Sequence, residues 1–145
     1  MTPEDRAQRV AQAMWARDAA SKWLGAELVS VGPGRAVLAM QVAAHHLNGH
    51  GICHGGFIFT LADTAFAFAC NSYNKVTVAQ ENTVTFLSPG QPGERLQASA
   101  VEAARTGRSG VYDVVVTGGD GRKVALFRGL SRTVQGQHFP EEAHG

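Results

Sequence analysis

A chain of 145 residues with a formal net charge of +1 is sized for one domain and carries no field for gripping DNA or RNA. Its apolar share, 44%, against a charged share of 17%, is that of a globular protein, and no apolar run is long enough to span a bilayer. Glu4, Asp5, Arg6, Arg9, Arg17 and Asp18 interrupt any signal-peptide pattern, and two cysteines, Cys53 and Cys70, make no disulfide framework; the expectation is a cytoplasmic protein.

Thr2-Pro3-Glu4-Asp5 reads as a helix start, with a capping hydroxyl, proline at the first helical position and two acids in the first turn. Ala7, Val10, Ala11 and Met14 recur at helical spacing, Trp23 and Leu24 extend the apolar face, and Gly25 is the stop. Ala26 to Val31 and Arg35 to Val42 read as a hairpin around Gly32-Pro33-Gly34. A polar loop from Ala43 to Cys53 follows. His54-Gly55-Gly56 then opens an apolar segment of about four helical turns.

From Val76 the period falls to two. Val76, Val78, Gln80, Asn82, Val84 and Phe86 share one strand face, and the polar pair Gln80 and Asn82 marks a bulge, a sheet edge or a polar site. Strands are expected over Glu94 to Arg105, Val111 to Thr117 and Arg122 to Val134, the last two joined by the hairpin signal Gly118-Gly119-Asp120-Gly121. Residues 1–134 read as a single domain, and the polar, aperiodic tail 135–145 as disordered. Helix, two strands, long helix and four strands with short connections predict an α+β fold, an antiparallel sheet wrapped around a long central helix.

The long helix carries one charge, Asp63. At roughly 100° per residue, Phe57, Phe68, Leu61, Ala65, Ile58, Ala69 and Ala62 fill one arc that should face the sheet. Asp63 falls on the far side near Phe59, Ala67 and Cys70, a poor solvent face that a second copy of the chain would cover. Phe59, Thr60, Phe66 and Ala67 occupy the positions where a helical ion-pair partner would sit, leaving a distant cation such as Arg128 as a possible partner.

Gly55-Gly56 bares the backbone at the positive end of the helix, where free amides can bond a carbonyl oxygen gaining negative charge; on its own the pair reads first as a tight turn. Bare amides plus a carboxylate suit acyl transfer. Cys53 and His54 are adjacent, yet sequential neighbours do not generally face each other as nucleophile and base. His45, His46, His50, Cys53 and His54 raise a metal reading, but no second spaced ligand cluster accompanies them, so a polar loop and no metal are expected.

Asn48-Gly49-His50, Cys53-His54-Gly55-Gly56 and Leu61-Ala62-Asp63-Thr64-Ala65-Phe66-Ala67 resemble the hot-dog-fold acyl-CoA thioesterases of the phenylacetic-acid-degradation (PaaI-type) group. Phe86-Leu87-Ser88-Pro89-Gly90, Gly110-Val111-Tyr112-Asp113 and Val124-Ala125-Leu126-Phe127-Arg128-Gly129 extend the resemblance from about Met14 to Thr133. It implies a hot-dog fold and a homotetramer built from dimers, with sites at the dimer interface. Gly55 would offer its amide to the thioester carbonyl. His54 and Asn48 would shape the site, and Asp63 of the other subunit would be nucleophile or general base. Gly56, Arg105, Arg108 and Arg128 would contact substrate, the arginines through coenzyme A phosphates. Some relatives carry a catalytic hydroxyl on the strand after the helix; here that place holds Ala79. The implied substrates are phenylacetyl-CoA or hydroxylated relatives, with coenzyme A entering only as part of the substrate and no separate cofactor. Alternatives are an acyl-thioester dehydratase or hydratase of the same fold, using His54 and Asp63, and a non-catalytic acyl-CoA-binding protein.

Overall fold

The computed structural model describes residues 1–142. Helix α1 (Pro3–Arg17) starts as its sequence requires: Thr2 Oγ1 accepts from the Asp5 amide at 3.0 Å and Asp5 Oδ2 accepts from the Thr2 amide at 3.1 Å. The expected single helix is broken at Asp18, whose carboxylate caps a second one, α2 (Ala19–Leu24), by accepting from the Ser21 amide at 2.9 Å. Gly25 ends α2 in the left-handed region, φ 81°, where a side chain would be strained. The break turns Trp23 outward to 62% exposure, so it does not extend the apolar face.

Strands β1 (Glu27–Gly32), β2 (Arg35–Gln41), β3 (Thr77–Phe86), β4 (Arg95–Thr106), β5 (Ser109–Thr117) and β6 (Lys123–Thr133) form one antiparallel sheet in the order β1-β2-β4-β5-β6-β3. Helix α3 (Gly55–Cys70) lies in its hollow. Ile58, Leu61, Ala62, Ala65, Phe68 and Ala69 are buried as the helical angles demand, against Leu38, Met40, Leu96, Val114 and Val116 of the sheet; Phe57 is only half-buried. The opposite stripe of Gly56, Phe59, Thr60, Asp63 and Ala67 stays at least partly open. Cys70, read onto that stripe, is buried, because the wrapped chain closes over the last turn.

The break in the β3 pattern is a bulge at Gln80: Ala79 pairs with Ser131 and Glu81 with Leu130. The extra residue reverses which parity faces α3. Val78 is therefore 47% exposed, while Asn82 and Val84, read onto the same face, turn to the helix side. β3 is also the sheet's last strand, so one edge of its backbone is unpaired by the sheet.

The tail expected to be loose is tied down as far as the described residues reach. The Asn74 side chain bonds the His138 amide at 2.9 Å and the Phe139 carbonyl at 3.0 Å, Arg6 pairs with Glu141 at 2.9 Å, and Phe139 is buried beneath Arg9. Its sequence shows no periodicity because these are single anchors, not a repeating face. Residues 143–145 lie outside the described residues.

Gly129 on β6 makes room for the buried Phe66 ring of α3: a Cβ there would lie 2.7 Å from two ring carbons. The rings of Tyr112 and Phe127, with centroids 5.7 and 5.9 Å away, block its retreat. Gly129→Ala is expected to cost about 1–3 kcal/mol of stability, read as a lower urea midpoint at unchanged slope. An unchanged midpoint would show that the ring moves aside freely.

Candidate active site

The loop before α3 is built to end at a helix start. Leu47 and Cys53 form a bridge, and between them Asn48 Oδ1 accepts the His50 amide at 2.9 Å, with Gly51 in the left-handed region at φ 75°. The Cys53 amide is bonded to Gly90 O at 2.9 Å and the His54 amide to His46 O at 2.8 Å, so the loop is fixed at both sides.

His54 is the N-cap of α3. Its Nδ1 accepts the Gly56 amide at 2.9 Å, and its carbonyl accepts those of Phe57 and Ile58 at 2.9 and 3.4 Å. The first amide of the helix, that of Gly55, has no partner among the described residues. Gly55 lies in the wall of a cleft of about 330 Å³ with Asn48, Ile52, Ile58, Phe86 and Pro89. The Phe86 ring comes so close that a Cβ on Gly55 would sit 3.0 Å from it. Asn48 and Gly55 are thus brought together, His54 serves from behind as the cap, and the Gly56 amide, expected to meet substrate, is spent on that cap.

Asp63 lies two turns further on, half-buried on the open stripe. Burial pushes its carboxyl above the ordinary range, and a hydrogen bond from Asn82 Nδ2 to its Oδ1, 2.9 Å, opposes the rise. Arg128 is not its partner: that guanidinium forks onto Asp113 at 2.7 and 2.8 Å, exposed on the outside of the sheet. Nor does any of Arg105, Arg108 or Arg128 line the Gly55 cleft in one chain. Arg105 stacks on Tyr73 at 3.6 Å near the other end of α3, and Arg108 sits in the β4–β5 turn. Arg122 is bonded to two residues of the cleft wall, donating to Ser88 Oγ at 3.0 Å and Pro89 O at 2.9 Å while Glu94 holds it at 2.9 Å. Asp120 also accepts from it at 2.9 Å, but Ser88, Pro89 and Glu94 are far away in sequence, so only the start of a strand was legible there.

The His45, His46 and Cys53 side chains of the loop have contacts of their own. His46 is 1% exposed, accepting the Ala43 amide at Nδ1 and donating from Nε2 to Leu24 O, both at 2.8 Å. His45 packs on Trp23. Burial pushes the Cys53 thiol up to about 11, and His54 Nδ1 is taken, so the two form no ion pair.

The model of the family described as "Thioesterase superfamily" matches residues 50–125. The chain is 45% identical over 131 residues, 90% of its length and 94% of the relative's, to the acyl-coenzyme A thioesterase PaaI of Escherichia coli. This chain belongs to the thioesterase superfamily. The thioesterase also superposes on the solved structure of the E. coli PaaI protein with a TM-score of 0.92 at 43% identity, covering 94% of this chain and 99% of that one. A variant of PaaI from Thermus thermophilus matches with a TM-score of 0.78 at 38% identity, over 81% and 100% of the two chains. The fold of this thioesterase is the hot-dog fold, with α3 inside the sheet.

Burial also holds the His46 imidazole below the ordinary 6.5. The unfolded chain then binds this proton at a higher pH than the folded one, so the stability it contributes is full above 6.5 and is lost as pH falls below that value. His138 is lowered in the same direction, again by burial first. Urea midpoints of the thioesterase are expected to fall between about pH 7.5 and pH 5, and to fall less in His46→Gln, the remainder including His138. An equal fall in both proteins would remove His46 from the account.

Proposed function

We propose that this thioesterase hydrolyses acyl-CoA thioesters of the phenylacetyl or hydroxyphenylacetyl class, releasing the free acid and coenzyme A. The observation that carries this reading is the unpartnered Gly55 amide at the head of α3, open to a cleft that Asn48 shares. The E. coli relative's name, an acyl-coenzyme A thioesterase, supplies the thioester, and its structure comes from a phenylacetic acid degradation operon.

In this scheme the thioester oxygen bonds the Gly55 N–H, and the helix dipole stabilises the negative charge it gains as the carbonyl carbon is attacked. Asp63 supplies the attack, either directly or by taking a proton from water. The C–S bond then breaks and coenzyme A leaves as the thiol. Gly55 and Asp63 are separated by about 12 Å along one helix, too far to act on one carbon. The Asp63 that completes a site therefore belongs to a second copy. The free edge of β3 and the open stripe of α3 favour such a dimer, with the homotetramer as its pairing. The three arginines, absent from the cleft in one chain, reach substrate phosphates in this scheme only across subunits. A cytoplasmic site of action is part of this proposal; no helix among the described residues is long and apolar enough to cross a membrane.

A dehydratase of the same fold would use His54 as its acid or base, and the helix cap takes Nδ1, leaving only Nε2 for that work. A non-catalytic binder has no use for a half-buried carboxylate. A panel of acyl-CoAs scored for thiol release separates these readings, with enoyl absorbance as the dehydratase readout. Asp63→Asn should keep the oligomer seen by light scattering and lose at least about 100-fold in kcat on phenylacetyl-CoA. Near-normal turnover in that variant would remove the mechanism.

A further inference from the structure

The strand position where the resemblance points to a catalytic hydroxyl holds Ala79, and the polar group that meets Asp63 lies three residues on, across the Gln80 bulge. Asn82 Nδ2 donates to Asp63 Oδ1 at 2.9 Å, while Asn82 Oδ1 is buried with no donor among the described residues. A bare buried amide oxygen costs stability, so a group that reaches it in some state of the protein is expected.

The surrounding elements supply none in the resting state. On β6, Arg128 stands opposite the neighbouring Thr83, but its guanidinium is held by Asp113. On β3, Glu81 is exposed and of opposite parity. The cap of α2, Asp18, accepts from Ser21 and offers no donor, and on α3 the Cys70 thiol bonds Ala67 O. Among the described residues one donor remains, and it exists only part of the time: the O–H of Asp63 once the carboxylate has taken up a proton. An amide and a carboxylic acid can pair in both directions, N–H to one carboxyl oxygen and O–H to the amide oxygen.

We propose that Asn82 is a positioning residue for a general-base Asp63: its amide N–H holds the carboxylate before turnover, and its Oδ1 receives the carboxyl O–H afterwards. This rests on the thioesterase reading above. Water attacks the thioester carbon, forming a C–O bond, as Asp63 takes its proton; the carbonyl electrons move to the oxygen at the partner copy's Gly55 amide. The oxyanion collapses, the C–S bond breaks, and the sulfur leaves with the proton returned by Asp63. An Asp63 that attacked carbon directly would gain no proton and leave Asn82 Oδ1 bare. Burial and the Asn82 amide already pull the carboxyl in opposite directions, as a tuned base requires.

The test is hydrolysis of phenylacetyl-CoA by the intact protein from about pH 5 to about pH 9, with activity rising as Asp63 ionises. Asn82→Leu leaves burial unopposed: the acid limb of kcat should move up by about one unit and the plateau fall at least about tenfold, with KM held within about twofold. Asn82→Asp, of the same shape, sets a second carboxylate beside the first; the limb should move further, and the plateau should exceed that of Asn82→Leu because an acceptor remains. An unmoved limb, or kcat and KM worsening together, marks a merely structural role and overturns the proposal. Single turnover of the wild-type protein in oxygen-18 water gives a check without any variant: label is expected in the acid product, and label in Asp63 overturns the proposal. A wild-type protein inert toward every acyl-CoA overturns the thioesterase reading itself, and so is told apart from a failure of Asn82 alone.

Discussion

Everything in this fold answers to one constraint, the burial of a sixteen-residue helix that is apolar almost all round. A helix with that composition cannot stand beside a sheet with one side in water. The sheet curls over most of it, and Phe66 reaches the wall only because β6 offers a glycine at position 129. What the sheet leaves uncovered is a narrow stripe, and the one charge of the helix sits on it. In the proposed dimer, coverage and chemistry are set by the same residues: the stripe is where a second copy would finish the burial and where a substrate would find the carboxylate.

The head of the helix shows the same economy. An α-helix begins with unsatisfied amides, and here the ring and carbonyl of His54 between them take those of Gly56, Phe57 and Ile58. One amide is left over, and it belongs to a residue without a side chain, beside a cleft. The loop that delivers it is locked by Asn48 and by bonds to Gly90 and His46, so the free donor is held by structure on both sides of the chain. Rigid placement is what gives such a donor its value, because no reorganisation is needed when charge develops on the substrate oxygen.

Much of this was legible in the residues. Helical angles placed Asp63 on the open stripe without knowledge of the sheet, and the period of two located the strands closely, because both readings depend on local geometry alone. The failures share the opposite property. The Gln80 bulge depends on the partner register of β6, so the alternation put Val78 on one face with Asn82 and Val84. Arg128 was open as a partner for Asp63 until β5 placed Asp113 beside it. Arg122 was read only as the first residue of a strand because Ser88, Pro89 and Glu94 lie on other segments. The tail looked loose because Asn74, Arg6 and Arg9 hold it through isolated contacts with no period. Asn82 was flagged as a polar interruption, but the hydrogen bond that gives it meaning crosses from sheet to helix.

The identity of the helix cap carries an electrostatic consequence. Aspartate or serine is the common cap, and an aspartate at position 54 could satisfy the Gly56 amide equally well. It would also set a full negative charge beside the Gly55 amide, the group proposed to hold the oxyanion, cancelling the field of the helix end. A neutral imidazole accepts the same hydrogen bond without that charge. It must remain neutral to do so, since a protonated Nδ1 has no lone pair to offer. The cap therefore preserves the positive potential of α3 for the ligand.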